Sequence, residues 1–289
     1  MSKLIRFLIV VILFTTGCSR PQPVVLRVLS YNIHHAEGLD KQLDLERIAR
    51  IINESGADLV ALQEVDRNVK RSGNVDQPAR LAELTGMTSI FEKNIDLQGG
   101  EYGNAILSRL PVESYRHHFL PRRGNNEQRG LLQARVRTAA GPLIFMATHL
   151  DHQADDAERM DSVAMIRVLA GEHAGQPLIL AGDLNTAPDT RVLGELRSFL
   201  FDTCPPDLQN AFTFSADRPR ERIDYILYNR DPRLRVTDYR ILDEPVASDH
   251  RPVLATFLIQ RGAVNPKANQ DAPPVSTRKA VEAASQGEP

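Results

Sequence analysis

Eight short runs of branched and aromatic residues punctuate the middle of the chain, at 26–33, 59–62, 104–108, 131–136, 143–148, 178–181, 223–228 and 252–259. Runs of that length and composition predict β-strands. Helical spacing intervenes only in places. Leu45, Ile48 and Ile52 repeat at i, i+3, i+7 before Gly56, and Met160, Val163, Ala164 and Val168 do so before Gly171. The first elements therefore alternate β-α-β, whereas the middle runs strand after strand. This mixture predicts an α/β (α+β) sandwich with some antiparallel pairing, and argues against a doubly wound parallel sheet.

The ends of the chain read differently. Lys3 and Arg6 precede the short apolar run 7–14, followed by Thr15, Thr16, Gly17 and Cys18, the pattern of an export signal. The cysteine directly after small residues resembles a bacterial lipoprotein signal, with 1–17 removed, Cys18 lipidated and 18–25 a short tether. Thr15 stands where such signals usually carry leucine, and a plain signal peptide with an incidental cysteine is the alternative. The expected setting is the bacterial cell envelope, on the periplasmic or extracellular face, attached to a membrane through Cys18. Residues 261–289 are rich in Pro, Ala, Gln, Ser and Asn and nearly lack large apolar residues, so a disordered tail is expected. One domain then occupies 26–260. Two cysteines exclude a disulfide-rich scaffold and a four-thiolate zinc site, and no apolar run reaches membrane-spanning length. Thirty-five basic against 37 acidic residues give a net charge of −2, which disfavours a broad basic surface for nucleic acid.

Each apolar run stops at chemically specific residues. The first ends in Tyr31-Asn32-Ile33-His34, the second in Gln63-Glu64, and others in Thr148-His149-Leu150-Asp151 and Gly182-Asp183-Leu184-Asn185. Arg222-Ile223-Asp224-Tyr225 opens another, and Ser248-Asp249-His250 precedes the last. Taken singly, each reads equally well as a solvated strand end, an Asx turn or a hydrogen-bonded core histidine. Gathered at one edge of a sandwich, they would pack carboxylates, imidazoles and amides into a single cleft. Crowded carboxylates need a cation, and an oxygen-rich set suits Mg²⁺, Mn²⁺ or Ca²⁺ better than zinc.

This ordered series, with Gly103-Asn104-Ala105-Ile106-Leu107-Ser108 between the second and third members, resembles the endonuclease/exonuclease/phosphatase superfamily. The resemblance spans essentially 26–259. It implies a four-layer sandwich in which two central mixed sheets are flanked by helices and the active site lies at one edge. It also implies Glu64 as the principal metal ligand, with Asn32 beside it and Asp249 near the same ion. Asp183 would orient or deprotonate the attacking water, and Asn185 would hold water or phosphate. Asp224 would fix the tautomer of His250, and His149 would contact the phosphate from the opposite side. The stretch Glu101-Tyr102-Gly103-Asn104 either places catalytic Tyr102 or Asn104 near the phosphate or forms a turn ahead of a strand. In some members the two histidines act as base and acid instead. His34 stands where abasic-site endonucleases carry an aspartate, which points away from DNA repair and towards small bacterial metal-dependent hydrolases.

The implied activity is a divalent-metal-dependent phosphoric ester hydrolase, a phosphodiesterase or phosphomonoesterase, acting as a monomer. Arg129, Asn104 and His34 are candidate substrate contacts. Arg122-Arg123 and the series Arg218, Arg220, Arg222 either line the entry or form solvated, self-neutralising loops. A small or lipid-linked phosphoester is the expected substrate. The alternatives are a nuclease acting on DNA, and, from another class, a non-catalytic binding lipoprotein on the same fold.

Overall fold

A computed structural model describes residues 22–261. The segments read above as an export signal with Cys18, and as a tail beyond Arg261, lie outside the described residues. In chain order the elements are β1 (Val24–Asn32), α1 (Leu45–Ser55), β2 (Leu59–Arg67), α2 (Gln77–Thr85), β3 (Thr88–Leu97) and β4 (Gly100–Ser108). There follow β5 (Val112–Phe119), β6 (Gly130–Thr138), β7 (Gly141–His149), α3 (Ala157–Gly171), β8 (Leu178–Asp183) and α4 (Arg191–Arg197). The last four are β9 (Leu200–Asp202), β10 (Asp224–Asn229), β11 (Leu234–Ile241) and β12 (Val253–Ile259).

They form two six-stranded mixed sheets, ordered β11-β12-β1-β2-β4-β3 and β5-β6-β7-β8-β10-β9. Each contains one parallel pair near its middle, β1 with β2 and β7 with β8, and every other pairing is antiparallel. Period-2 alternation sorts the apolar runs into layers. Leu26, Val28, Leu59, Ala61, Phe145, Ala147, Ile179 and Ala181 point into one core between the sheets. Their neighbours Leu29, Tyr31, Val60 and Leu62 face outward onto Ile48 and Ile52 of α1 and Leu81 of α2. Ile144, Met146, Leu178 and Leu180 likewise face Val163 and Ile166 of α3 and Leu193 and Leu196 of α4. The result is the four-layer sandwich that the family resemblance implies.

Local chemistry sets the helix ends. Asp44 accepts the backbone N–H of Arg47 at 2.7 Å to cap α1, and Gly56 (φ 64°) closes it in the left-handed conformation. Asp76 and Gly86 do the same for α2. The buried stripe of α3 departs from the expected one: Val163, Ile166 and Leu169 face the sheet, while Ala164 is exposed and Val168 is 64% exposed. The polar side chains of Glu158, Arg159 and Ser162 occupy the same buried face. Arg159 Nη1 donates to the carbonyls of Asp151 and Gln153, so an apolar count alone misplaces the stripe. β1 also begins earlier than the expected run, with Val24 and Val25 already paired to Ile259 and Leu258.

Candidate active site

The two parallel pairs place four chemical residues at one edge. β1 and β2 run in the same direction, with Asn32 opposite Gln63, and β7 and β8 end together with His149 opposite Asp183. β10 runs antiparallel to β8, which sets its first residue, Asp224, opposite Asp183. Gly182 permits the close β7–β8 approach, since a Cβ there would lie 2.0 Å from the Thr148 carbonyl oxygen. Ser248 fastens the last loop to this edge: its hydroxyl donates to the Asn32 carbonyl at 2.7 Å and accepts the His250 N–H. Strand ends beside a parallel pair are where open α/β sheets place ligands.

Glu64 reaches the edge through a bulge. Between Leu62 and Val65 the register of β2 against β4 shifts, and Glu64 adopts φ 57°, re-aiming its side chain out of the ladder. His34, His35 and Ala36 also take positive φ just after β1. Asn185 takes φ 47°, a conformation asparagine tolerates, while its N–H donates to Asp183 Oδ1 at 2.9 Å.

The centre of the arrangement is Asp183 Oδ2. Asn32 Nδ2 donates to it at 3.1 Å, and the Nε2 atoms of His149 and His250 lie 3.4 and 3.6 Å away. Asn32 Nδ2 also donates to Glu64 Oε1 at 3.1 Å, while its Oδ1 accepts the backbone N–H of His34. His250 Nδ1 donates to Asp224 Oδ2 at 2.9 Å, which fixes the tautomer, and Phe214 packs against the ring with centroids 4.9 Å apart. Arg129 can only donate, so at 3.0 Å His149 Nδ1 is its acceptor and Nε2 is left with the proton. The Asn185 amide lies 3.0 Å from His149 Nε2.

Electrostatics separate these groups. Burial raises the Asp183 carboxyl, and the adjacent Asp224 raises it further. Burial opposes charge on His250, but the carboxylates of Asp224 and Asp183 and the Asp224 hydrogen bond overcome it and hold the ring well above the ordinary histidine value. His149 moves the other way, because burial and then the Arg129 guanidinium favour the neutral ring. The edge therefore carries one histidine driven towards the cation and one held neutral, both beside the same carboxylate. Burial, reinforced by Glu64, raises the Tyr102 hydroxyl, and the Arg71 guanidinium lies 5.3 Å from the ring centre. Burial, followed by Arg71, lowers His35 to about 4.

Asn32, Glu64, His149, Asp183, Asn185, Asp224 and His250 thus converge, and Tyr102 and His34 stand close beside Glu64 and Asn32 respectively. Asp249 is more peripheral, with Oδ1 4.0 Å from His250 Nε2. Arg129 is buried, held among His149, His152 and Glu127. Asn104 is buried too, and its amide donates to the Gly130 carbonyl at 2.9 Å. Of the other arginines, Arg222 is buried against Asp202 and Tyr225, whereas Arg123 pairs with Asp161 at the surface. Sequence reasoning gave no site role to His35, His152 or Glu127. The His34-His35 doublet and the spacing His149–His152 were the available signals.

Two groups of side chains bring ligand atoms within 4.8 Å of one another among the described residues: Asp183, Asp224 and His250, and His34, His35 and Glu64. Asp224 Oδ1 and His35 Nδ1 are buried without a hydrogen-bond partner. This donor set, carboxylates beside uncommitted lone pairs, fits a divalent cation.

Known proteins share this framework. Over 175 residues the chain is 29% identical to the Escherichia coli protein YbhP, covering 57% of this chain and 68% of that one. An endonuclease/exonuclease/phosphatase from Beutenbergia cavernae is 26% identical with a TM-score of 0.68, over 81% of this chain and 72% of that one. A mannosyl-6-phosphatase from Bacteroides thetaiotaomicron has the same fold at 20% identity and a TM-score of 0.67, over 80% and 99% of the two chains. The model of the Endonuclease/Exonuclease/phosphatase family matches residues 29–250, and the chain belongs to that family.

Proposed function

We propose that this protein is a divalent-metal-dependent phosphoesterase, cleaving a small or lipid-linked phosphoester by in-line attack of water. The observation that carries this reading is the convergence of Asn32, His149 and His250 on one buried oxygen of Asp183. A carboxylate raised by burial is a competent base near neutral pH, so Asp183 takes a proton from the water it orients while the P–O ester bond opposite the entering oxygen breaks and the departing oxygen takes a proton from solvent. His250, kept cationic by Asp224 and Asp183, donates from Nε2 to a non-bridging phosphoryl oxygen. His149 holds the other side of the phosphate from Nε2–H, with Arg129 fixing its tautomer. Glu64 would hold the cation, with Asn32, His34, His35 and Asp249 around it. When bound, the cation supplies Lewis-acid polarisation of the phosphoryl oxygens.

A mannosyl-6-phosphatase among the structural relatives supports a small phosphoester as substrate. Leu39, Leu43 and Val246 are exposed on the loop after His34 and on the segment bonded to it, which gives a lipid-linked substrate some support. The nearly neutral chain gives nucleic acid less support. Residues 1–18 support export and membrane attachment through Cys18, and mass spectrometry of the mature N-terminus tests that placement.

The activity test compares bis-p-nitrophenyl phosphate, sugar and inositol phosphates, sphingomyelin, phosphatidylinositol and plasmid DNA, with and without EDTA. Turnover is expected to require a divalent cation, and Glu64→Gln and Asp183→Asn are each expected to lower it by roughly 10²- to 10⁴-fold. Undiminished turnover in either variant, or in EDTA, would overturn the assignment.

A further inference from the structure

We propose that the divalent cation of this protein is held by the imidazoles of His34 and His35 together with Glu64, a two-nitrogen, one-carboxylate site that selects a first-row transition ion such as Mn²⁺ or Co²⁺ over Mg²⁺. The inference rests on the reading above that Glu64 holds the ion, and it names the ion's other ligands and its chemical class.

Four observations meet here. One ligand atom from each of His34, His35 and Glu64 lies within 4.8 Å of the other two. His34 Nδ1 sits 3.0 Å from the Glu37 carbonyl oxygen, which can only accept, so Nδ1 carries the proton and the Nε2 lone pair is left for an electrophile. A metal-ligating histidine is usually oriented in this way, its second nitrogen donating to a carbonyl or carboxylate. His35 is only 7% exposed, and its Nδ1 is buried with no hydrogen-bond partner. Its Nε2 faces Glu37 Oε2 at 3.8 Å, which favours the proton on Nε2 and leaves Nδ1 as a second lone pair. A buried, unpaired imidazole nitrogen beside a carboxylate is explained by a ligand that accepts electron density. Glu64 commits Oε1 to Asn32, and Oε2 takes no hydrogen bond among the described residues.

The nature of the donors then decides the ion. Mg²⁺ takes oxygen ligands in near-ideal octahedral geometry and gains little from imidazole, whereas the gain from nitrogen rises along the first-row ions, from modest at Mn²⁺ to larger at Co²⁺ and beyond. This departs from the oxygen-rich expectation drawn from the sequence, in which Glu64, Asn32 and Asp249 surround the ion and His34 is a substrate contact. The second group, Asp183, Asp224 and His250, is committed differently, because His250 Nδ1 is bonded to Asp224 and its Nε2 faces Asp183.

The test uses the full chain stripped of metal and reloaded with Mn²⁺, read by pulsed electron paramagnetic resonance without substrate. Directly bound imidazole nitrogen should appear in the echo modulation, persist in His250→Ala, and vanish when His34→Ala and His35→Ala are combined. Calorimetric titration supplies the second measurement. His34→Asp replaces nitrogen by oxygen at a partly exposed position and should lower the Mn²⁺-to-Mg²⁺ affinity ratio by about tenfold or more. Absence of nitrogen modulation in the wild-type protein, its loss in His250→Ala alone, or an unchanged affinity ratio in His34→Asp would each overturn the proposal. Because neither measurement needs turnover, a chain that binds Mn²⁺ through these histidines yet hydrolyses nothing would refute the phosphoesterase reading and leave this one standing.

Discussion

Asp224 shows how one buried side chain governs another. Its Oδ2 accepts the His250 Nδ1–H at 2.9 Å, and its charge is the strongest influence favouring the cationic ring against burial. Asp224→Asn keeps the size of the group and removes the charge, so the His250 pKa must fall. Since the proposed mechanism needs the ring protonated, the alkaline limb of the pH–rate profile is expected to move to lower pH. Turnover should fall by about 10²-fold or more while KM changes little, because the lost interaction belongs to the developing charge. NMR titration of the His250 ring checks the shift directly, and an unmoved ring pKa would contradict the electrostatic argument. His35 illustrates the opposite limit of the sequence. Its doublet with His34 was visible, yet nothing in the pattern revealed that one of its nitrogens would be buried without a partner.

At the scale of elements, the strands that the sequence announced and those it concealed divide by position. The eight apolar runs became β1, β2, β4, β6, β7, β8, β10 and β12, all interior to their sheets. The four unannounced strands, β3, β5, β9 and β11, are the four sheet edges. An edge strand buries less of each face and keeps charged side chains in solvent, so its alternation is diluted, as in the mostly half-exposed β5 and β11. The site was legible for a related reason: its polar residues stand where apolar runs stop. The bulge that turns Glu64 was not legible, because it depends on the pairing of β2 with β4. The edges carry a testable device. His117 of β5 lies 3.0 Å from Asn94 Oδ1 of β3, joining the rims of the two sheets, and burial, with His118 adding to it, lowers its pKa to about 4. A folded pKa below the unfolded value of about 6.5 means that the neutral ring stabilises the fold at higher pH and that this stability is lost as pH falls towards 4. With the partial exposure discounted, the loss is about 1 kcal/mol. His117→Gln should flatten denaturant-measured stability between pH 6.5 and 4, and an unaltered pH slope would show that His117 contributes nothing there.

For the whole molecule, the decisive fact is that the candidate site is assembled across the two sheets. Asn32 and Glu64 come from the β1–β2 pair of one sheet, and His149, Asp183 and Asp224 from β7, β8 and β10 of the other. The bond from Asn32 to Asp183 therefore spans the sandwich, as does the contact of the Asn32 amide with His250. Asp183 and Asp224 are buried side by side there, and their repulsion helps raise the Asp183 carboxyl. A cation held at Glu64 would oppose that repulsion at the seam between the sheets, and it would bind the native arrangement far better than an unfolded chain, in which these residues are scattered over more than 200 positions. Linkage then requires the ion to stabilise the fold, by about 2.7 kcal/mol at a hundredfold excess over Kd. For a domain of this size that corresponds to a rise in Tm of roughly 5–10 °C. Thermal unfolding of the metal-free chain against increasing Mn²⁺ or Mg²⁺ should show this rise and its saturation, and Glu64→Gln should abolish it. A Tm indifferent to the ion in the wild-type protein would mean that the seam gathers its carboxylates without needing one.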